Sequence, residues 1–89
     1  MSDYTPIDCG LYSRYELAIL RRRRLRLSWR VAGGLTRIDT VTPIDLETRS
    51  GEEFLVIEQS DGHRLDVRLD RIVRSREVLP ENDGRPGDC

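Results

Sequence analysis

The chain has 89 residues, and its 15 basic residues, all of them arginine, are balanced by 16 acidic residues to a formal net charge of −1. A chain of this length forms one small domain with a thin core, so a deep catalytic cleft is not expected. The charge excludes a polycation. Because 35% of the residues are nevertheless charged, any electrostatic function must depend on where the charges lie.

Compartment and chemistry are also constrained by the sequence. The apolar runs are too short to span a bilayer and the polar start does not resemble a signal peptide, so we expect a cytoplasmic protein with no membrane association. The two cysteines, Cys9 and Cys89, lie near opposite ends, which favours reduced thiols. With His63 as the single histidine and no CxxC motif, no metal or catalytic arrangement can be built, and we expect neither an enzyme nor a cofactor.

The first predicted element is a helix over about residues 10–22. Its apolar residues recur at helical spacing and form one stripe. The stripe consists of Leu11, Tyr15, Ala18 and Ile19. Asp8 or Gly10 is a suitable N-cap, and the arginines that follow the stripe suit a helix C-terminus, where cations are favoured.

After the helix the hydrophobic period changes to two, which predicts about five short antiparallel strands between residues 24 and 78. The first strand places Trp29 on its inward face. Gly33–Gly34 predicts a two-residue hairpin turn into a second strand, which Pro43 should end because proline cannot donate to a ladder. The predicted strands are Arg24–Val31, Leu35–Val41, Ile44–Thr48, Glu53–Gln59, Arg64–Asp70 and Arg71–Val78, with Ile44–Thr48 a short strand or a turn and a hairpin turn at Asp61–Gly62.

One helix followed by tightly connected strands predicts a mainly β fold, a small antiparallel barrel or sandwich. We expect a single domain over residues 1–79. Residues 80–89 are polar and rich in proline and glycine, which predicts a disordered tail.

The segment Leu20–Arg30 contains six arginines and allows two interpretations. In one, the arginines close a helix and lie on the solvent face of a strand. In the other, a patch formed by Arg21, Arg22, Arg23 and Arg24 makes the chain a small β-barrel RNA-binding module. Two observations favour the first interpretation: acidic residues are spread through the other strands, and the chain has only five aromatic residues besides histidine. Direct binding to nucleic acid is therefore not expected.

Three short motifs stand in order along the chain. The first consists of Tyr4, Pro6, Ile7, Cys9, Tyr12, Glu16, Leu17 and Ala18. The second is Asp45-Leu46 with Arg49, followed by Glu53–Val56, and the third is Val67–Asp70 with Ile72. Together they resemble the signature of the Rho-binding antiterminator family, also called Rof or YaeO, over about residues 4–75.

The resemblance implies an Sm-like β-barrel with an N-terminal helix, monomeric when free. It also implies that the chain binds the bacterial transcription termination factor Rho on the domain that takes up nascent RNA, and so prevents termination. The Rho contacts carried over from the family are Asp8, Tyr12, Glu16 and Arg49. The chain departs from the family at Gly10, Leu11 and Ser13, where acidic residues are usual.

Elementary electrostatics agrees with such a role. An RNA site must be electropositive because it takes phosphate, so a competitor should present carboxylates and aromatic groups. Asp8, Tyr12 and Glu16 are spaced i, i+4 and i+8, which places them along one face at the start of the helix. The ordinary alternative is that Tyr12 packs on the barrel and Glu16 is a solvated helix residue.

Overall fold

The structure is a computed structural model that describes residues 5–78. Its elements are helix α1 (Cys9–Leu20) and strands β1 (Arg24–Arg30), β2 (Thr36–Arg49), β3 (Glu52–Glu58), β4 (Arg64–Arg68) and β5 (Ile72–Val78), with a 3₁₀ turn at Leu69–Arg71. The prediction of a mainly β fold with five antiparallel strands and one N-terminal helix is confirmed. The predicted tail, residues 80–89, lies outside the described residues.

The five strands form one antiparallel sheet in the order β4-β3-β2-β1-β5. β4 and β5 therefore lie at opposite edges, yet only the 3₁₀ turn connects them. Four residue steps separate Arg68 from Ile72, so these two strand ends lie within about 14 Å of each other. The sheet must curl to bring its edges this close. Over residues 5–78 no ladder joins β4 to β5, so the barrel stays open.

Strand β2 corrects the prediction that Pro43 ends a strand. β2 continues through Pro43, and the two predicted strands on either side of it are one element. Its first part pairs with β1 as far as Val41, and its second part pairs with β3 from Thr42 onward. The register with β3 is irregular between Pro43 and Asp45. Proline is tolerated at such a bulge because the regular ladder is already interrupted there.

Three tight turns connect the first four strands. At Gly33–Gly34 the closing bond runs 2.8 Å from the Val31 N–H to the Leu35 carbonyl, so the loop encloses three residues instead of the predicted two. The hairpin predicted at Asp61–Gly62 joins β3 to β4. The turn at Ser50–Gly51 was not predicted. Both residues have positive φ, 51° and 79°, which is the type I′ geometry that matches the twist of a hairpin.

The core lies between α1 and the concave side of the sheet. Its buried residues are Tyr15, Ala18, Leu25, Leu27, Trp29, Val41, Leu55, Ile57, Val67 and Leu69. Leu11 and Ile19 pack against this core, so the predicted helical stripe and the inward position of Trp29 are confirmed. The Tyr15 hydroxyl reaches across to β5, 3.4 Å from Ser75 Oγ. Within residues 5–78, no helix has the length and apolarity needed to cross a membrane.

Helix α1 ends two residues before the predicted boundary. The Arg23 N–H donates to the Ala18 carbonyl at 2.9 Å and the Arg22 N–H donates to the Ile19 carbonyl at 3.2 Å. This is the Schellman arrangement, and it places Arg22 in the left-handed region at φ 55°. The stretch of arginines therefore contains the turn that sends the chain from α1 into β1.

Candidate functional site

Three carboxylates, one each from α1, β2 and β3, act electrostatically on Tyr12. Tyr12 and Glu16 lie one turn apart on α1, Asp45 lies on β2 and Glu53 lies near the start of β3. Burial, and then the negative charges of these carboxylates (Glu53, Glu16 and Asp45), raise the pKa of the Tyr12 phenol above its ordinary value of 10.0. These four residues, which we call the Tyr12 cluster, concentrate negative charge around an aromatic side chain.

Local structure fixes the members of the cluster. Tyr12 is half-buried because its ring packs against the core beside the helical stripe, whereas Glu16 is exposed. Asp45 follows the bulge at Pro43, and its carboxylate accepts a 2.8 Å hydrogen bond from the Leu46 N–H. The two structural expectations for the helix therefore both hold: the ring packs on the barrel and the carboxylate of Glu16 faces solvent.

An open groove runs beside the cluster. It is lined by Tyr12, Ser13, Glu16, Leu17, Ile19, Leu20, Asp45 and Leu46. Leu20 is 77% exposed and Leu17 is 45% exposed, so one side of the groove is apolar. Acidic groups on one side and exposed aliphatic groups on the other make this surface suited to a partner that carries both cationic and apolar side chains.

Asp8 lies outside the helix, at its N-cap. Its carbonyl accepts the Tyr12 N–H at 3.0 Å, while its carboxylate is exposed and makes no capping hydrogen bond. The spacing of Asp8 and Tyr12 therefore places the two residues one turn apart, but Asp8 is on extended backbone, with φ −60° and ψ 141°.

The structure does not bring Arg49 to the Tyr12 cluster. Arg49 Nη2 lies 2.7 Å from Asp66 Oδ2, its Nε lies 3.6 Å from Glu47 Oε1, and its guanidinium carbon lies 4.2 Å from the centre of the Phe54 ring. Phe54 precedes the core residue Leu55 on β3, so it points to the opposite, convex face of the sheet. Arg49 is thus engaged by Asp66, Glu47 and Phe54, and it does not line the groove beside Tyr12.

The four arginines of the alternative site do come together. Arg21 is the helix C-cap, Arg22 occupies the left-handed position, Arg23 is half-buried and Arg24 begins β1. With Val78 they line an open groove. Their first role is local, because the backbone of this segment forms the helix end.

The remaining reactive residues form no recognisable centre. In the described part of the chain, no three His, Cys, Asp or Glu side chains are grouped as metal ligands. His63 lies in the β3–β4 turn, where its Nδ1 is 3.2 Å from Asp61 Oδ2. A hydrogen bond from the His63 N–H, at 3.0 Å, lowers the pKa of the Asp61 carboxyl. This contact is that of a turn residue.

Asp45 and Glu53 are the members of the cluster that the sequence did not identify as site residues. Both belong to the second motif, but no helical or strand spacing relates them to Tyr12, which lies far earlier in the chain. Their proximity depends on how α1 packs on β2, beside which β3 lies in the sheet. The one feature of the sequence that could have identified them as site residues is their position in the same motif as the predicted contact Arg49.

Fold and site together define a small, mainly β protein whose candidate functional region is a charged surface and not an enclosed cavity. Compared with known families and curated proteins, the sequence matches no family model and no curated protein. Its fold is similar to part of proteasome accessory factor B/C (PafBC) of Arthrobacter aurescens, with a TM-score of 0.70 and 19% sequence identity over 94% of this chain. The chain spans 13% of the length of that chain. At this identity the likeness shows the fold alone.

Proposed function

We propose that this protein inhibits the transcription termination factor Rho by binding its primary RNA-binding domain and blocking RNA uptake. The observation that carries the proposal is the Tyr12 cluster. Tyr12, Glu16 and Asp45 line one groove on the exposed side of α1, and the negative charge of Glu53 also acts on Tyr12. RNA presents negatively charged phosphates and aromatic bases to its binding site. A protein that occupies the same site is expected to present carboxylates and an aromatic side chain in their place.

The physical basis is charge complementarity. A site that takes single-stranded RNA is cationic, because most of its affinity comes from neutralising phosphates. Glu16 is exposed, and with Asp45 and Glu53 it would meet the same cations that phosphates meet. Complementary charge speeds association and excludes partners of the wrong sign. The apolar side of the groove, with Leu17 and Leu20, would add buried area to the contact.

The motif resemblance supplies the identity of the partner. The first motif contributes Tyr12 and Glu16, and the second contributes Asp45 and Glu53, so both contribute residues to one surface. Arg49 belongs to the second motif as well, but it is held by Asp66 on the other face of the sheet. We therefore assign the contact to the Tyr12 cluster, with Asp8 beside it, and leave Arg49 outside.

The proposal is tested by mixing the purified chain with Rho. A complex should form in a pull-down, and the chain should lower the uptake of pyrimidine-rich RNA by Rho in proportion to complex formation. Because the contact is partly electrostatic, its affinity should fall as salt rises. If both proteins are folded and no complex forms at low salt, the proposal is wrong.

Glu16→Arg is the sharpest single change. Glu16 is exposed, so the free energy of unfolding should change by no more than about 0.5 kcal/mol. Binding to Rho should weaken by about 100-fold or more, because the substitution sets like charges against each other. Glu77→Arg is the matched control, since Glu77 is an exposed glutamate on β5 outside the Tyr12 cluster. Equal effects of the two substitutions, or none, would contradict the assignment.

A further inference from the structure

A second charged surface lies on the convex side of the sheet, on the outward-facing residues of β1 and β5. There β1 pairs on one side with β2 and on the other with β5. Leu25, Leu27 and Trp29 point into the core, so the alternate residues of β1 point outward. The outward arginines of β1 and β5 are Arg24, Arg26, Arg30, Arg74 and Arg76, which we call the basic face.

The register places arginines of the two strands side by side. Arg26 pairs directly with Arg76, and Ser28 pairs with Arg74. On the other side of β1, Ser28 pairs with Ile38 and Arg26 pairs with Thr40. The face is therefore a continuous cationic strip along β1 and β5, bordered by hydroxyl and aliphatic side chains of β2.

No carboxylate of β1, of β5 or of the part of β2 that pairs with β1 lies on the basic face. The acidic residues of this part of the sheet are Asp39, which pairs with Leu27, and Glu77, which pairs with Leu25, and both alternate to the other side. Within residues 5–78, none of the five arginines makes an ion pair with an acid; the closest polar partner is Thr40, whose Oγ1 lies 3.1 Å from Arg26 Nη1.

The other half of the convex surface is built differently. On β2, β3 and β4 the outward arginines have acidic neighbours: Arg49 and Arg68 make ion pairs, and Arg64 pairs across the strands with Glu58. Arg49 is 2.7 Å from Asp66, and Arg68 lies 2.7 Å from Asp70 and 3.4 Å from Glu52. The same sheet thus balances its charges where β2, β3 and β4 meet and leaves them unbalanced where β5, β1 and β2 meet. The contrast marks the basic face as a surface for an external anion.

Repulsion between arginines in the free chain also favours the binding of an anion to the basic face. Like charges directly opposite each other on an antiparallel pair are destabilising, by about 0.2–1 kcal/mol. Arg26 and Arg76 form such a pair. A bound anion between two guanidinium groups would convert repulsion into charge-assisted hydrogen bonds, which are strongest with phosphate and carboxylate because arginine donates in a fork.

We infer that the basic face binds single-stranded nucleic acid through its phosphates, without reading sequence. Alternate residues of a strand stand about 6.6 Å apart, so the strip offers cations at regular intervals along β1 to a flexible, extended polyanion. Ile38, 62% exposed, and Val73, 54% exposed, lie beside the arginines. Unpaired bases have apolar faces that can cover such side chains, whereas a duplex hides those faces.

This inference does not rest on the proposed function, since none of the five arginines belongs to the Tyr12 cluster. It also differs from the interpretation that Arg21, Arg22, Arg23 and Arg24 form the patch. Of those four, only Arg24 belongs to the basic face. The other members come from β1 and from β5, which the sequence places far apart.

The test is a titration of labelled single-stranded oligouridine with the full chain, in the absence of Rho, between about 50 and 200 mM salt. Five phosphate contacts predict a slope of log K against log salt of about −3.5, from about −0.7 per contact. The double substitution of Arg26→Thr and Arg76→Thr should lower the slope to about −2 and weaken binding on the order of tenfold. It should not reduce stability, because it removes a like-charge pair.

The matched control is Arg37→Thr with Arg64→Thr, two exposed strand arginines outside the basic face. This control removes the same charge and should retain the parental slope. Equal losses in the two double variants would show binding by net charge alone and overturn the inference. So would the absence of binding at low salt, displacement of the RNA by an equal charge concentration of polyglutamate, or equal affinity for duplex RNA.

Discussion

At the scale of single residues, the pKa of the Tyr12 phenol depends on the charges around it. Replacing Glu16 with glutamine removes one of the charges that disfavour the phenolate, so the pKa of Tyr12 should fall toward 10.0. The shift should be followed as the pH titration of the Tyr12 ring resonances in nuclear magnetic resonance. Glu77→Gln is the control and should leave that titration unchanged. An unaltered titration in Glu16→Gln would mean that the charge of Glu16 does not act on the ring and that Glu16 is not a member of the Tyr12 cluster. This result does not depend on any experiment with Rho.

The sequence reached only part of this cluster, and the reason is physical. Tyr12 and Glu16 are related by helical spacing, which is a local property of the chain. Asp45 and Glu53 approach them because α1 packs on β2, which pairs with β3. Local spacing contains no information about that packing. Arg49 was predicted as a contact because it stands in the second motif. In the structure it lies over Phe54 on the convex face of the sheet.

At the scale of elements, the end of α1 carries a substitution that should stabilise the chain. Arg22 holds a left-handed conformation, which costs an L-residue about 1–2 kcal/mol, whereas glycine adopts it freely. After allowing for the greater flexibility of glycine in the unfolded chain, Arg22→Gly should raise the free energy of unfolding by about 0.5–1 kcal/mol. Urea denaturation measures this.

Arg21→Gly is the control for that substitution. Arg21 has right-handed backbone angles, φ −89° and ψ −2°, so glycine relieves no strain there and should lower stability. If both glycine variants lower the free energy of unfolding, the left-handed position of Arg22 is not the source of strain.

The elements themselves were largely predictable. Period-two alternation with strong turn residues indicated β1 and β4, and the continuous apolar run Phe54–Ile57 indicated β3, because side-chain pattern and turn chemistry are local. Two features were not accessible. Pro43 sits at a bulge within β2, where the ladder is already irregular, and Ser50 occupies a positive-φ turn position that glycine, asparagine or aspartate usually fill.

At the scale of the whole molecule, a net charge of −1 conceals two charged surfaces of opposite sign. The acidic one gathers on the α1 side around Tyr12, and the basic one lies on the convex side of β5, β1 and β2. Composition could not show this separation, because it depends on the strand order that sets β5 next to β1. Arginines of β1 and β5, which lie far apart in the sequence, become neighbours because these two strands pair directly.

The two surfaces should therefore act independently. Glu16 lines the groove beside Tyr12, whereas Arg26 and Arg76 line a different groove that contains no residue of α1, and salt screens exposed charges beyond a Debye length of about 8 Å at physiological ionic strength. Glu16→Arg should weaken binding to Rho and leave the affinity for oligouridine unchanged. The double variant of Arg26→Thr and Arg76→Thr should do the reverse. Substitutions that make no contact and share no partner usually add in free energy, so the triple variant should combine both losses without any interaction between them.

Independence is tested by measuring the affinities for Rho and for oligouridine at one salt concentration, for the parent and all three variants. If the Arg26 and Arg76 substitutions weaken Rho binding as strongly as Glu16→Arg does, the basic face belongs to the Rho contact and the two surfaces form one interface. If Glu16→Arg instead strengthens oligouridine binding as much as the arginine substitutions weaken it, RNA responds to the net charge of the molecule and the basic face has no privileged role. Opposite and additive losses are the outcome that the curled sheet predicts.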